Sequence, residues 1–189
     1  MREEQLLSKC GRKLSLAIIC LLALNLWGQP TGTEYQIKAA YLLNFGKFVK
    51  WPSPLPGHSF SICVVGADPF GPVLDGTLHD EKIDGKPVVA RRVSRPQDAA
   101  GCQVAFISRS EEAQVSKFIP ILTKAGVLTV SDMPAFLDRG GMIQFAFAGN
   151  RIRFEVDLDK AQEAELTLSS ELLKVASAVR HKHQAEVVK

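Results

Sequence analysis

Apolar residues follow two different spacings along the chain, and each spacing predicts a different kind of element. A spacing of about one helical turn over residues 34–51 and 108–125 predicts two amphipathic helices. Short continuous apolar runs are typical of buried strands, and they occur at 60–66, 87–93, 102–107 and 127–130. Strands that alternate with helices at this spacing predict a mainly parallel sheet flanked by helices on both faces.

The first predicted helix divides its apolar and charged residues between different faces. Its lysines, Lys38, Lys47 and Lys50, are expected on the faces away from the core. The residues expected on the inner face are spaced by about one turn and are Ile37, Tyr41, Phe45, Phe48 and Val49.

The last part of the chain changes to a period of two. Residues 142–147 and 151–157 alternate around a turn at Gly149 and Asn150, which predicts an antiparallel hairpin. Ser169 holds the position of an N-cap for a final helix, whose inner face would carry Leu172, Leu173, Ala176 and Val179. The predicted fold is a single α/β domain with a mainly parallel sheet, flanking helices and a C-terminal antiparallel edge hairpin.

The N-terminus has the pattern of a secretory signal peptide. Residues 1–13 carry four basic and two acidic side chains, and the apolar segment 14–24 that follows is too short to span a membrane stably. A small residue at Gly28 marks the expected cleavage site. We therefore expect a signal peptide over 1–28 and a domain over 29–189 that is exported to the periplasm. An uncleaved N-terminal anchor is the alternative, and it exports the domain as well.

Cleavage would remove most of the basic excess of the chain. The full sequence has 23 Lys and Arg against 20 Asp and Glu, and removal of 1–28 leaves 19 against 18. Proteins that bind nucleic acid neutralise phosphates with a clear excess of basic side chains. Nucleic acid is therefore not an expected partner.

No constellation of residues predicts catalysis or a metal site. The segment 66–71 has the spacing G-x-x-x-x-G, but Pro72 and Val73 follow where a phosphate-binding loop needs Lys and Ser or Thr. The histidines do not stand with carboxylates or thiols at ligand spacing, and no serine lies in a G-x-S-x-G elbow. We expect no enzymatic activity, no metal and no cofactor.

A ligand cleft is still expected where parallel strands end, because open α/β sheets bind ligands at the carboxyl ends of their strands. The candidate polar contacts in this cleft are Gly66, Asp68, Ser108 and Ser131. The alternative for the first two is a simple turn in which Asp68 caps a helix that Pro69 begins.

Two of the four cysteines remain after removal of the leader. Cys63 and Cys102 form an even pair in an exported chain, which predicts a disulfide because that compartment is oxidising. Two unpaired thiols buried in strands are the alternative.

The order and spacing of several segments resemble one family. The segments are 38–52, 62–71, 102–108, 128–132, 140–145, 151–158 and 168–173. Together they are similar to the YfiR family of exported bacterial regulators. The resemblance implies a periplasmic protein that binds the sensor domain of an inner-membrane diguanylate cyclase, represses the cyclase and lowers cyclic di-GMP. Cys63 and Cys102 match the disulfide positions of the family, and no cysteine after Cys102 could form the second bond found in some members.

A regulator of this kind is expected to expose an apolar patch to its partner. We expect this patch around Phe70, Pro134 and Phe136, with capping of the core as the alternative role of these residues. A homodimer is compatible with the resemblance and with an exposed hairpin edge. The alternative function is a periplasmic small-ligand-binding or accessory sensor module for another membrane signalling protein.

Overall fold

The computed structural model describes residues 32–52, 57–149 and 151–181. The signal peptide predicted over 1–28 lies outside these residues. Within the described ranges, no helix combines the length and the apolar character needed to cross a membrane.

Strands and helices alternate through most of the described chain. The strands are β1 (Val49–Lys50), β2 (Phe60–Val65), β3 (Lys82–Ile83), β4 (Lys86–Val93), β5 (Val104–Ile107), β6 (Leu128–Ser131), β7 (Ile143–Ala148), β8 (Arg151–Asp157), β9 (Thr167–Leu168) and β10 (Ala178–Arg180). The helices are α1 (Gly32–Phe48), α2 (Pro72–Leu78), α3 (Val115–Lys124), α4 (Leu158–Glu163) and α5 (Ser170–Val175). Short 3-10 turns cover Pro96–Gly101, Arg109–Glu111 and Leu137–Arg139.

Eight of the strands in the described ranges form one sheet in the order β10-β8-β7-β6-β5-β2-β4-β3. The five central strands from β7 to β4 are parallel, and β1 and β9 form a separate antiparallel pair. The predicted hairpin is present as β7 and β8, which pair from Ile143↔Val156 to Ala148↔Arg151. The prediction of an α/β domain with a mainly parallel sheet and a C-terminal hairpin is confirmed.

The predicted final helix is shorter than expected and is followed by a strand. Ser169 caps α5 by accepting a hydrogen bond from the Leu172 amide, as predicted, but the helix ends at Val175. The amide and the hydroxyl of Ser177 both donate to the Phe154 carbonyl, which holds the next residues along β8. Val179 therefore lies exposed in β10 and not on the inner face of a helix.

Helices cover both faces of the sheet, so its central strands are buried on both sides. One apolar cluster packs under α1, α2, α4 and α5, and the other packs under α3 and the turn at Pro96–Gly101. This double cover explains why β2, β5 and β6 are continuously apolar and not alternating.

The buried face of α1 differs from the predicted one. Ile37 and Phe48 are exposed, and the stripe that faces the sheet is Lys38, Leu42 and Phe45, continued by Val49 at the start of β1. These four positions follow the spacing of about 3.6 residues per turn as closely as the predicted set does. The correction matters because it buries a lysine.

Candidate functional site

The residues predicted to line a ligand cleft do lie at the carboxyl ends of neighbouring parallel strands, but their polar atoms bind other parts of the protein. Ser131 Oγ donates to the Ile107 carbonyl at 2.7 Å and accepts from the Met133 amide. Asp68 accepts hydrogen bonds from the Phe70 amide and from Arg92 Nε, each at 2.8 Å. The Asp68 geometry is that of the alternative turn, but the helix begins at Pro72 and not at Pro69, and Asp68 does not cap it.

The space around Gly66 and Ser108 is filled by the chain that follows β5. A Cβ added to Gly66 would lie 2.3 Å from Ser110 Oγ, and the same hydroxyl accepts a hydrogen bond from the Ala67 amide. Ser108 is buried, and its amide donates to the Val65 carbonyl. This part of the sheet edge is closed by the turn at Arg109–Glu111.

Two of the three residues predicted for a partner surface are in the core. Phe70 is 3% exposed and packs edge-on against Tyr35 and Phe106, while Phe136 is fully buried. The prediction that these two residues are exposed anchors is wrong, because both rings fill the space between the sheet and its covering segments. Pro134 is exposed as expected.

A buried ion-pair network lies at the carboxyl end of β6. The Lys38 ammonium, on a side chain that is 1% exposed, donates to Asp132 and to Glu34. Arg109 Nε donates to Asp132 Oδ1 at 3.2 Å, and the Tyr35 hydroxyl donates to Asp132 Oδ2 at 3.1 Å. The network therefore joins α1, the turn after β5 and the end of β6 through one carboxylate.

Charge and burial act in opposite directions on this carboxylate. Burial favours the neutral form of Asp132, but hydrogen bonds and attraction from Lys38 and Arg109 outweigh it and hold its pKa below the ordinary value. Burial, followed by the charge of Asp132, raises the pKa of Tyr35. Asp132 is thus an anion and Tyr35 a neutral hydrogen-bond donor at neutral pH.

A cleft of about 220 Å³ opens beside this network. It forms because β6 ends at Ser131, whereas its neighbour β7 continues to Ala148. The walls come from the network and from the β7–β8 hairpin, namely Lys38, Arg109, Asp132, Pro134, Gln144, Phe145, Ala146, Phe147 and Ile152. Phe147 is 62% exposed at the mouth, so the cleft combines an accessible aromatic ring with the accessible side of Arg109.

A second, more apolar groove of about 200 Å³ lies between α1 and α5. Its lining is mostly aromatic and aliphatic and consists of Tyr41, Asn44, Phe45, Phe48, Phe154, Glu171, Leu172 and Val175. The exposed ring of Phe48 and the exposed side chain of Val175 belong to this groove.

The disulfide predicted between Cys63 and Cys102 is present. It joins β2 to the residue that ends the turn before β5, and both cysteines are buried. The bond lies in the apolar cluster under α3, on the opposite face of the sheet from α1. Its position is that of a cross-link within the core.

The main residues of the cleft were not predicted from the sequence, although one signal was available. Lys38 is four and seven residues from Leu42 and Phe45, which places it on the same helical face as these core residues. Nothing local to Arg109, Gln144 or Phe147 indicates a cleft, because the cleft depends on the different lengths of β6 and β7.

The fold and the site define a single-domain, disulfide-bonded α/β protein with an open cleft at the carboxyl end of its parallel sheet. The chain belongs to the YfiR/HmsC-like family, whose model matches residues 35–177. Proteins of this family are periplasmic regulators in general.

Two solved structures share the fold. A conserved domain protein from Vibrio cholerae O1 biovar El Tor strain N16961 is 12% identical with a TM-score of 0.51, and the match covers 64% of this chain and 54% of that one. The ABC domain in complex with L-Trp from Streptococcus pneumonia is 10% identical with a TM-score of 0.51, and the match covers 75% of this chain and 62% of that one. This chain thus spans less than two thirds of either protein, and the similarity concerns the fold alone.

Proposed function

We propose that this chain is an exported regulator that binds the periplasmic sensor domain of an inner-membrane diguanylate cyclase, represses the cyclase and lowers cyclic di-GMP. The observation that carries the proposal is the family match over residues 35–177, which includes nearly all the described chain. The buried disulfide supports export, because such bonds persist in oxidising compartments.

The proposed mechanism is binding without catalysis. The charged groups beside the cleft neutralise one another, since Lys38 and Arg109 face Asp132 and Glu34. A nucleophile or general base needs a side chain that is free to react with a substrate, whereas Asp132 already accepts bonds from three side chains. The accessible features of this region are an aromatic ring and guanidinium groups, which are typical of protein-binding surfaces.

The proposal is tested by capture of the partner from its own membrane. Oxidised residues 29–189 with a C-terminal affinity tag are incubated with a detergent extract of the membranes of the source cell, and bound proteins are identified by mass spectrometry. We expect recovery of a membrane protein with a cyclase output domain. A folded protein, shown by circular dichroism, that recovers no such protein would count against the cyclase as partner.

A cellular measurement tests the sign of the regulation. Deletion of the gene is expected to raise cyclic di-GMP, and expression of the complete chain to restore the lower level. A chain that lacks residues 1–28 is the matched control and should not restore it, because the domain would stay on the wrong side of the membrane. An unchanged level of cyclic di-GMP after deletion would contradict the proposed repression.

The groove between α1 and α5 favours a second candidate function, the binding of a small molecule by a periplasmic sensor module. Its aromatic lining suits an apolar ligand, and Asn44 and Glu171 offer polar contacts at the same place. A thermal-shift screen of small aromatic metabolites, with Phe48→Ala as the variant that removes one wall, distinguishes this function from protein binding alone.

A further inference from the structure

We infer that the cleft beside β7 binds an extended, acidic peptide segment of the partner, which adds to the sheet as a strand in line with β6. The inference rests on the proposed function in one respect, because it assigns this segment to the regulated membrane protein. Extended peptides commonly bind to free sheet edges in this way, with main-chain hydrogen bonds for affinity and side-chain pockets for specificity.

The first support is a free length of strand edge. The ladder between β6 and β7 consists of Val130↔Ile143 and Ser131↔Gln144, after which β6 ends. β7 continues for four more residues, Phe145 to Ala148, and on this side no strand pairs with them among the described residues. Four residues of strand extend over roughly 13 Å, which is enough to pair with a short peptide.

The direction of the main-chain groups gives the second support. The Asp157 amide donates to the Met142 carbonyl, so this pair faces β8, and alternate residues of β7 after Met142 face β8 as well. Phe145 and Phe147 therefore turn their main-chain groups to the other side, towards the cleft. Free main-chain donors and acceptors in a cleft are the groups that an added strand requires.

The charges around the edge indicate the chemistry of the peptide. Arg151 and Arg153 lie on β8 opposite Ala148 and Ala146, and neither has an ion-pair partner within the described ranges. Arg109 lines the cleft, but it is paired with Asp132, and the four charges of that network balance. Arg151 and Arg153 outnumber Glu155, which lies on the same face of β8, and this excess of positive charge favours an acidic segment.

The same charges argue against a second copy of this chain as the occupant. The β7 edge of a second copy, Ile143–Ala148, carries no acidic side chain that could complement Arg151 and Arg153. An apolar residue of the added segment, by contrast, can contact Phe147, Pro134 and Ile152, which line the cleft. Acidic and apolar residues in alternation fit both features.

The test uses two pools of synthetic eight-residue peptides with blocked ends and the uniformly ¹⁵N-labelled domain. One pool alternates Val, Ile or Thr with Asp or Glu, and the other replaces the acidic residues with Lys. We expect the acidic pool to shift the amide resonances of Phe145 and Phe147 and to slow hydrogen exchange at these amides. The lysine pool should shift them much less. No change at these amides with either pool would overturn the inference, and equal changes would overturn its acidic part.

Two substitutions at one position separate main-chain pairing from side-chain contact. Phe147→Ala removes the ring and keeps the amide, whereas Phe147→Pro removes both. The amide of Phe147 faces away from β8, so proline leaves the hairpin ladder intact, as at other edge strands. We expect Phe147→Pro to weaken peptide binding at least tenfold more than Phe147→Ala, with both variants folded by circular dichroism. Equal affinities of the two variants would show that the main chain is not used.

A charge reversal tests the electrostatic argument. Arg151→Glu, at an exposed residue without an ion-pair partner in the described chain, should weaken binding of the acidic pool about tenfold. Lys117→Glu makes the same change in net charge on an exposed residue of α3, a helix that does not line the cleft, and should leave binding unchanged. Equal effects of the two reversals would contradict a local acidic contact.

The outcomes also separate this inference from the proposed function. If a captured cyclase slows hydrogen exchange at other amides but not at those of β7, the strand addition is rejected and the proposed regulatory function is retained. Peptide binding at β7 together with capture of a different class of membrane protein would keep the strand addition and reject the cyclase. A second copy as occupant would appear as concentration-dependent protection of β7 without added peptide.

Discussion

Lys38 and Asp132 form a buried pair of opposite charges whose side chains are 1% and 5% exposed. A charge removed from water is costly unless another charge and hydrogen bonds compensate for it. Glu34, Arg109 and Tyr35 supply the remaining contacts, so every charged atom of the pair has a partner. Removal of one member therefore leaves the other buried without compensation.

The substitution Asp132→Asn tests this dependence. It leaves Lys38 buried with only Glu34 as an anionic partner, and we expect the free energy of unfolding to fall by about 3 kcal/mol. Urea denaturation measures the change. Asp75→Asn is the control, because Asp75 pairs with Arg92 at an exposed site, and its loss should cost less than about 1 kcal/mol. Similar losses in both variants would show that burial does not decide the effect.

The acid stability of the protein should depend on the same carboxylate. The pKa of Asp132 is lower in the folded state than its ordinary value of 3.8, so its ion pairs stabilise the fold above that value. This stabilisation is lost as the pH falls below 3.8 and through the lower pKa of the folded state. The difference in unfolding free energy between the wild type and Asp132→Asn should thus be constant from pH 5 to 7 and shrink at lower pH. A difference that grows on acidification would contradict this sign.

The connection between β6 and β7 depends on close contact between a glycine and an aromatic ring. A Cβ on Gly141 would lie 2.2 Å from Phe136 Cε1, and the Gly141 amide donates to the Phe136 carbonyl. The ring is fully buried in the apolar cluster under α3, so a shift would disturb the packing of that cluster. The entry of the chain into β7 is fixed by this contact.

Substitution of this glycine has an expected cost at the level of the element. Gly141→Ala should lower the free energy of unfolding by about 2 kcal/mol, because the Phe136 ring must shift. Gly76→Ala is the matched control, since Gly76 lies within α2 with no atom near an added Cβ. Alanine is the better helix former by about 0.8 kcal/mol, so this variant should be slightly more stable. Thermal denaturation of the two variants should give shifts of opposite sign.

The positions of the strands and of the hairpin were predicted better than the side of helix α1 that is buried. The strand runs and the hairpin were recognisable because apolar residues follow the periods of buried and half-buried strands. The face of α1 was hard to recognise, since apolar residues lie on most of its sides and the buried partner of Lys38, Asp132, is 94 residues away in the sequence. The strand β10 was missed because its pairing with β8 depends on the contact between Ser177 and Phe154, 23 residues apart.

The site was less predictable than the fold for a physical reason. The residues after β2, β5 and β6 were expected at the correct edge of the sheet, but whether their polar atoms are free depends on the packing of the turn at Arg109–Glu111. The cleft lies one strand further along, where it results from the different ends of β6 and β7. The point at which one strand ends relative to its neighbour depends on how the strands pair in the folded sheet. The spacing of apolar residues along the sequence does not contain this information.

At the scale of the whole molecule, the disulfide joins two segments that are 39 residues apart. A cross-link of this span stabilises the folded state by about 4 kcal/mol in the chain-entropy model. The double variant Cys63→Ala and Cys102→Ala should lose about this amount in urea denaturation and, while folded, still capture the partner, because the bond is buried away from the cleft. Unchanged stability with loss of capture would instead give the disulfide a direct role in binding.

The path of α1 also determines how the protein can be attached to a surface for binding measurements. The first turns of α1 carry Lys38, which contacts Asp132 beside the cleft. In contrast, β10 runs parallel to β8 and ends with Arg180, which lies opposite Asp157 and pairs with Asp138. Because β8 is antiparallel to β7, the last residue of β10 lies level with the start of β7, at the opposite end of the strands from the cleft. A handle joined before Gly32 would crowd the cleft, and a handle joined after Arg180 would leave it open. Immobilisation through the C-terminus therefore presents the proposed docking edge to solution, and immobilisation through the N-terminus would reduce apparent binding without any change in the fold.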